Sequence, residues 1–417
     1  MRQPPYLFNQ LCSLLDRGYF DYLVKKHSGN RYVKTYTCWN HLLTMLWAQL
    51  TGRKSLRDIE FSLRGLSGKL YQLGIGRSIS HSTISEANAT RDVAIYRGIA
   101  ERMMEKAARA GIVKAELADL FGGLAVAGLY AVDSSTVHLD LSRYPWSVPQ
   151  RNGGGIRLHT MLDILREIPV TCLVTGNEER DQTFMDDYRY APHCLYLFDK
   201  AYVKAKSLFR IHKAGAYFIV RPKGNMRFDT IRSKDTANAE DCRVLADLTV
   251  TFSSAPSRRA YPEELRLVHY YSPEKKETIS FLTNHNGLPA DVVAYAYKNR
   301  WAIEVFFKWL KQNLRIEDFF GRSANAVSIQ VYTAVTAQCL IALFSDRHGA
   351  SCSNYELTRA LSLSLAERRL AADWIQELRE AADPRLPEPD EELNLFNWQN
   401  VSSDQLNLPG NGVKQQC

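Results

Sequence analysis

Paired cysteines, long apolar runs and nucleotide-binding glycine loops are all missing from this 417-residue sequence. The eight cysteines (Cys12, Cys38, Cys172, Cys194, Cys242, Cys339, Cys352 and Cys417) stand singly, with no Cys-x-x-Cys. That spacing argues against a zinc ribbon and supplies no disulfide framework. Several lie in apolar runs, where a free thiol behaves as a small core residue, so a reducing cytosol is the simplest compartment. No unbroken apolar stretch of transmembrane length is present, and no membrane partner is expected. The start, MRQPPYLFNQ, lacks the apolar segment and small-residue site of a signal peptide. There is no P-loop, no G-x-S-x-G elbow and no His/Cys set at zinc spacing. No internal repeat occurs.

What is present is a basic, globular chain. An apolar content of 45% and an aromatic content of 11% exclude a disordered protein. The length allows two or three domains with cores of their own. The net charge of +8 fits nucleic acid but also many ordinary proteins. Its distribution is more telling: Lys200 to Lys234 contains ten Lys or Arg and one acid, Asp229. A phosphate-contacting surface explains this better than a solvated basic face.

The character of the chain changes along its length. Residues 1–122 read as helical, with apolar residues at helical spacing in HLLTMLWAQL, SLRDIEFSLRGL and IYRGIAERMMEKAARAGI. In SISHSTISEANATR, Ser80, Ser82 and Ser85 are possible helix caps, and Arg77 and Arg91 stand beside a helix start that could meet DNA backbone. Residues 123–224 alternate strands (LYAVDSSTVHL, LHTMLDIL, IPVTCLVT, CLYLFDKAYV) with helical patterns such as RDQTFMDDYRY, which implies α/β. Residues 225–287 are β-patterned with little helix between the runs, as in a small inserted domain. Helices resume over 288–345 and continue in 346–417, which ends in the acidic linker DPRLPEPDEE and a loose tail.

Three carboxylates stand out. Asp133 follows the apolar run Leu129-Tyr130-Ala131-Val132, and Asp199 follows Leu195-Tyr196-Leu197-Phe198. Each is expected at or near the end of a buried strand, where ligand sites of α/β sheets gather, although turns and caps also use Asp there. Glu304 lies in YKNRWAIEVFFKWLK (297–311). Read as one helix at about 100° per residue, this stretch puts Tyr297, Arg300, Glu304, Lys308 and Lys311 on one stripe. Ile303, Phe306, Phe307, Leu310 and Leu314 fill the opposite one. Alone, the polar stripe reads as exposed salt bridges. Together with Asp133 and Asp199, Glu304 would complete a set of hard oxygen ligands suited to Mg²⁺ or Mn²⁺. Such a site can hold two ions that assist displacement at phosphorus. His159 reads as a structural histidine.

The sequence resembles the bacterial insertion-sequence DDE transposases whose signature is Y-(2)-R-(3)-E-(6)-K. That signature is intact as Tyr297, Arg300, Glu304 and Lys311, supported in order by AVDSST, LFDKAY and FIVRPKGN. The resemblance covers roughly 10–345, including SLRDIEFSLRGL and HSTISEANATR. It implies an RNase H-like catalytic core (123–224 and 288–345) with an inserted β-rich domain (225–287), preceded by an all-helical DNA-binding domain (1–122). A role in dimerisation would fall to 346–417. It also implies Asp133, Asp199 and Glu304 as catalytic metal ligands for Mg²⁺, with Mn²⁺ as a substitute. Tyr297, Arg300 and Lys311 would hold DNA ends, aided by Arg221, Lys223 and Lys308, and Trp301 would stack on a displaced base or pack in the core. The implied partners are double-stranded transposon-end and target DNA and a second copy of the chain, in the bacterial cytoplasm at the nucleoid. The second aspartate motif departs from the common Asp-Arg-Gly-Tyr, reading Asp199-Lys200-Ala201-Tyr202. Other readings use the same residues: an inactive or domesticated DNA-binding relative, and a nuclease of the same core without strand transfer. The intact triad weighs against the first, and terminal inverted repeats beside the gene would weigh against the second.

Overall fold

The computed structural model describes residues 4–110, 115–124, 126–147, 154–176, 185–186, 188–234, 243–313 and 319–381. RDQTFMDDYRY therefore lies largely outside the described residues, as do Leu314, Cys242, Cys417 and the acidic linker. Two compact units share the chain. The first draws on Met1–Ile112, Asp133–Phe184 and Ala302–Ala381, and the second on Val113–Val132 and Met185–Trp301.

The first unit opens with α1 (Leu7–Cys12), α2 (Arg17–Lys26), α3 (Cys38–Leu50), α4 (Leu56–Gly65), α5 (His81–Thr90) and α6 (Val93–Ala110). Their starts are set by side chains that satisfy the first free N–H groups. Thr37 and Asn40 form a capping box on α3, and Ser80 caps α5 by accepting from the Thr83 N–H. Of the three serines offered as caps, Ser80 is the one used. Arg91 differs from expectation: it is buried, and its guanidinium donates to the Thr37 and Tyr36 carbonyls. These bonds tie the end of α5 to the start of α3, whereas Arg77 is exposed.

The same unit contains the later half of β1 (Gly128–Leu139), the antiparallel pair β2 (Gly154–Asp163) and β3 (Ile168–Gly176), and helices α11 (Ala302–Asn313), α12 (Ala324–His348), α13 (Asn354–Ser364) and α14 (Ala371–Ala381), whereas α7 (Ala115–Gly123) belongs to the second unit. Helix α12 is its axis, packed by α3, α5, α6, α13, α14 and β3. By length and composition α12 could cross a membrane, a feature the sequence reading did not find because Gln330, Thr333, Thr336 and Gln338 interrupt it. Those residues are buried; the threonine hydroxyls bond back to the Ile329 and Tyr332 carbonyls at 2.8 Å, so their polarity is met locally. A helix buried all round carries no polar face. It ends at Gly349, whose φ of 60° is the left-handed conformation that closes helix C-termini.

The second unit is built on a sheet. β1 runs parallel to β4 (Cys194–Phe198) from Gly128↔Cys194 to Val132↔Phe198, and β4 runs parallel to β5 (Tyr217–Val220). β4 is buried along its whole length, as a central parallel strand should be. Helix α8 (Ala205–Lys213) makes the β4–β5 crossover. An antiparallel series follows: β6 (Phe228–Lys234), β7 (Val244–Phe252), β8 (Leu265–Ser272) and β9 (Glu277–Thr283), with α9 (Ala255–Ala260) after β7 and α10 (Ala290–Lys298) after β9. β9 pairs with β5, so these β-rich strands extend the sheet and do not make one of their own. The nine strands hydrogen-bond in the order β3-β2-β1-β4-β5-β9-β8-β7-β6.

Candidate active site

The stretch 297–311 is not one helix. α10 stops at Lys298, a 3₁₀ turn occupies Asn299–Trp301, and α11 begins at Ala302. The Asn299 side chain adds a 2.9 Å bond to the Tyr295 carbonyl, the competition by which Asn disturbs a helix. A 3₁₀ turn advances about 120° per residue, so angles counted from Tyr297 do not carry across it. The signature residues accordingly divide, with Tyr297 and Arg300 in the second unit and Glu304, Lys308 and Lys311 in the first.

In the first unit, Asp133, Ser134 and Ser135 of β1 face Glu304, Lys308 and Lys311 of α11 around a cavity of about 420 Å³. Glu304, Lys308 and Lys311 have the i, i+4, i+7 spacing of one helical stripe, while Ile303, Phe306 and Leu310 are buried opposite. Phe307 closes the cavity. β1 opens to it because Asp133–Thr136 are all half-buried, within a strand whose flanks are buried. Asp133 was expected near a strand end, yet β1 continues to Leu139. What ends there is the parallel pairing with β4, whose last register pair is Val132↔Phe198. The Asp133 carboxylate accepts from the Ser134 N–H at 2.8 Å. The Lys311 ammonium donates to the Thr136 carbonyl at 3.1 Å and so ties α11 to β1.

In the second unit, Asp199 directly follows β4 and starts the 3₁₀ turn Lys200–Tyr202. Its side chain makes no cap bond, so the carboxylate is not used as a helix cap. Asp199, Arg221 and Arg300 all act on Tyr297. Burial pushes the Tyr297 phenol up to about 12; Arg300 and Arg221 oppose the shift and the Asp199 charge adds to it. The Arg300 guanidinium lies 5.8 Å from the centre of the Tyr297 ring, which also packs on Phe281 at 5.0 Å. Arg221 makes a 3.8 Å ion pair with Glu277.

The other expected residues are placed as follows. Trp301 is 48% exposed, so it does not serve as core. Lys308 is exposed, and Lys223 is half-buried in the loop after β5. His159 is buried and shares a 3.0 Å bond with the Thr175 hydroxyl, a structural role. Among the described residues, no three of His, Cys, Asp and Glu gather into a group that could hold a metal ion; Asp133 and Glu304 line one cavity, and Asp199 belongs to the other unit. Ser134 and Ser135 were not picked out from sequence; the signal available was their position beside Asp133 in AVDSST.

Comparison with known proteins places the chain in a family. The model of the family described as "Transposase DDE domain" matches residues 125–340, which include Asp133, Asp199 and Glu304. A "Domain of unknown function (DUF4372)" matches residues 5–76. The chain is 27% identical over 288 residues to the putative transposase y4zB of Sinorhizobium fredii, covering 69% of this chain and 77% of that one. It is 28% identical over 219 residues to a probable transposase for insertion sequence element IS5377 of Geobacillus stearothermophilus (52% and 57%). With a putative transposase for element IS4SA of Synechocystis it shares 21% over 306 residues (73% and 83%). A cryo-EM structure of piggyBac transposase in a synaptic complex with hairpin DNA aligns with a TM-score of 0.47 at 10% identity, over 99% of this chain and 90% of that one.

Proposed function

Since the chain belongs to the DDE transposases, DNA-cutting and strand-joining polynucleotidyl transferases, we propose that it moves an insertion sequence by a cut-and-paste route, acting at the terminal inverted repeats. The observation that carries this reading is the cavity in which Asp133 and Glu304 face Lys308 and Lys311. The architecture it uses is an RNase H-like core (123–224 and 288–345) interrupted by the β-rich 225–287. The helical 1–122 binds DNA, and 346–417 joins two copies around paired ends. The parallel β1–β4–β5 arrangement supports that core.

Asp133, Asp199 and Glu304 are the residues that would hold Mg²⁺ or Mn²⁺. For Asp133 and Glu304 the donor chemistry fits: the described residues around their cavity offer carboxylate and hydroxyl oxygens and no thiol or imidazole. The β1–β4 pairing stops at Val132↔Phe198, and the next residue on each strand is an aspartate. A bound divalent ion would supply Lewis-acid stabilisation of charge developing at phosphorus. The protein's part is to bind and orient. Lys308 and Lys311 offset phosphate charge as point cations, and Arg300 offers a planar fork to a phosphate. Tyr297 keeps its proton at neutral pH, and its hydroxyl would donate to a phosphate oxygen. Trp301, half-exposed, stacks on a base at the end. Arg221 and Lys223 extend the phosphate contacts. Water attacks phosphorus at the element end and leaves a 3′-hydroxyl, which then attacks a target phosphodiester as the old P–O bond breaks. No protein nucleophile is needed.

Purified protein with Mg²⁺ and duplex DNA carrying the flanking repeats should produce nicks with 3′-hydroxyls. Asp133→Ala and Glu304→Ala should each remove nicking while leaving DNA binding in place. Nicking that survives either substitution refutes the assigned site.

A further inference from the structure

A second basic feature is α8, which lies within the basic stretch Lys200–Lys234. The helix carries no acid, and from Lys204 to Lys213 the sequence KAKSLFRIHK has four Lys or Arg. With Lys206 at 0°, Lys213 falls at about −20° and Arg210 at about 40°, a stripe about 60° wide. Leu208 and Ile211, both fully buried, lie near 200° and 140° and fix the opposite face to the sheet. Lys206, Arg210 and Lys213 are all exposed.

The platform beneath these cations is rigid. The His212 ring shares a 2.7 Å hydrogen bond with the Tyr261 hydroxyl, and Phe209 packs edge-on to Tyr261 at 5.3 Å. Tyr261 is itself buried and directly follows α9, which packs on α8 and presents exposed Arg259. The Lys213 ammonium sits 4.9 Å from the centre of the Phe209 ring, which limits its freedom. Arg210 has a 3.5 Å pair with Asp186, long and half-exposed, so weak. Among the described residues, Lys206 and Lys213 pair with no carboxylate. Unneutralised like charges on an ordered surface repel one another, and a polyanion relieves that repulsion.

We infer that the α8 stripe is a sequence-independent contact for the backbone of duplex DNA, additional to the phosphate contacts around Tyr297 and Lys311. Lys206 and Lys213 are separated by about 10.5 Å along the helix axis at 1.5 Å per residue. Along the duplex axis one strand rises about 3.4 Å per phosphate, so a stripe of that length lies beside about three phosphates. The inference rests on DNA being the substrate, and it adds where else on the chain the duplex is held.

The test uses the full chain and two labelled duplexes of equal length, one with a terminal repeat and one of scrambled sequence. Binding is followed from low to physiological salt. The triple variant Lys206→Ala/Arg210→Ala/Lys213→Ala should weaken both duplexes equally. It should also flatten the plot of log K against log salt by about 2.7, at about 0.9 per phosphate contact. The charge-preserving triple Lys206→Arg/Arg210→Lys/Lys213→Arg should restore the slope, and each single alanine variant should flatten it by about 0.9. An unchanged slope in the single and triple variants, with wild type binding normally, overturns this inference alone. Failure of the wild type to bind either duplex overturns it together with the proposed function.

Discussion

The sharpest stability prediction concerns Asp247, in β7. Its carboxylate takes two bonds of 2.7 Å from the Arg266 guanidinium in β8, and both side chains are nearly inaccessible, at 9% and 3%. Arg266 also donates to the carbonyls of His285 and Leu288, in the segment that leads from β9 into α10. Asp247→Ala would leave a buried guanidinium whose charge nothing offsets. Removing one partner of such a pair costs about 3–5 kcal/mol, because the remaining ion has lost its solvent and its counterion. For a unit of this size, about 2–4 °C per kcal/mol gives a fall in melting temperature of roughly 6–20 °C. Replacing both partners, as Asp247→Leu/Arg266→Met, should cost less than the single change, since neither ion is then stranded. Differential scanning calorimetry of the three variants and the wild type reads this directly. A loss below about 1 kcal/mol in Asp247→Ala, or a double variant less stable than the single, would contradict a stranded charge as the cause. The effect also has a functional side: His285 and Leu288 precede the helix bearing Tyr297, so Asp247→Ala should loosen end binding before it touches the carboxylates.

Two further predictions address the signature residues. Lys311→Met removes the bond to the Thr136 carbonyl as well as a cation, so it should lower stability by about 1 kcal/mol and flatten the salt slope by about 0.9; a variant with unaltered melting would show that the tether contributes nothing. Tyr297→Phe tests the buried phenol, which is raised from 10 to about 12 mainly by burial. Between those values the unfolded phenol releases its proton and the folded one keeps it, so the stabilising term is complete below pH 10 and is lost as pH rises toward 12. The stability difference between wild type and Tyr297→Phe should therefore change only in that alkaline window, and a change near neutral pH would count against the assignment.

Much of this was legible in the chain because apolar patterning follows the backbone. CLYLF is buried from end to end as a central parallel strand, which puts Asp199 immediately after it as expected. β1 was harder. LYAVDSSTVHL reads as a strand and β1 spans it, but Asp133 was expected near a strand end; after Val132 the side chains become half-buried together while the backbone stays extended to Leu139. Arg91 and Arg77 are equivalent as letters in a basic helical segment. Only the folded chain shows that the first spends its donors on two backbone carbonyls. In α12 the buried threonines keep their polarity local, because each hydroxyl bonds back to a carbonyl of its own helix.

The break at Asn299–Trp301 was hidden for a more basic reason. On both sides of it the apolar residues keep helical spacing, and three residues at about 120° in place of about 100° displace the phase by only about 60°. That is the width of a stripe, so a pattern count cannot see it. The consequence for chemistry is larger than the angle. A continuous helix would present Tyr297, Arg300, Glu304 and Lys311 as one stripe, positioned by one set of core contacts. Divided, Tyr297 and Arg300 take their positions from Phe281 and the surroundings of Asp199, while Glu304 and Lys311 take theirs from α11 and the strand carbonyl at Thr136. The groups proposed to bind phosphate and the cavity carboxylate are thereby set by different cores. Substitutions that loosen the β7–β8 pair should then act on end binding, and substitutions at Thr136 or Lys311 on the cavity, with the two effects additive to the extent that the cores are independent.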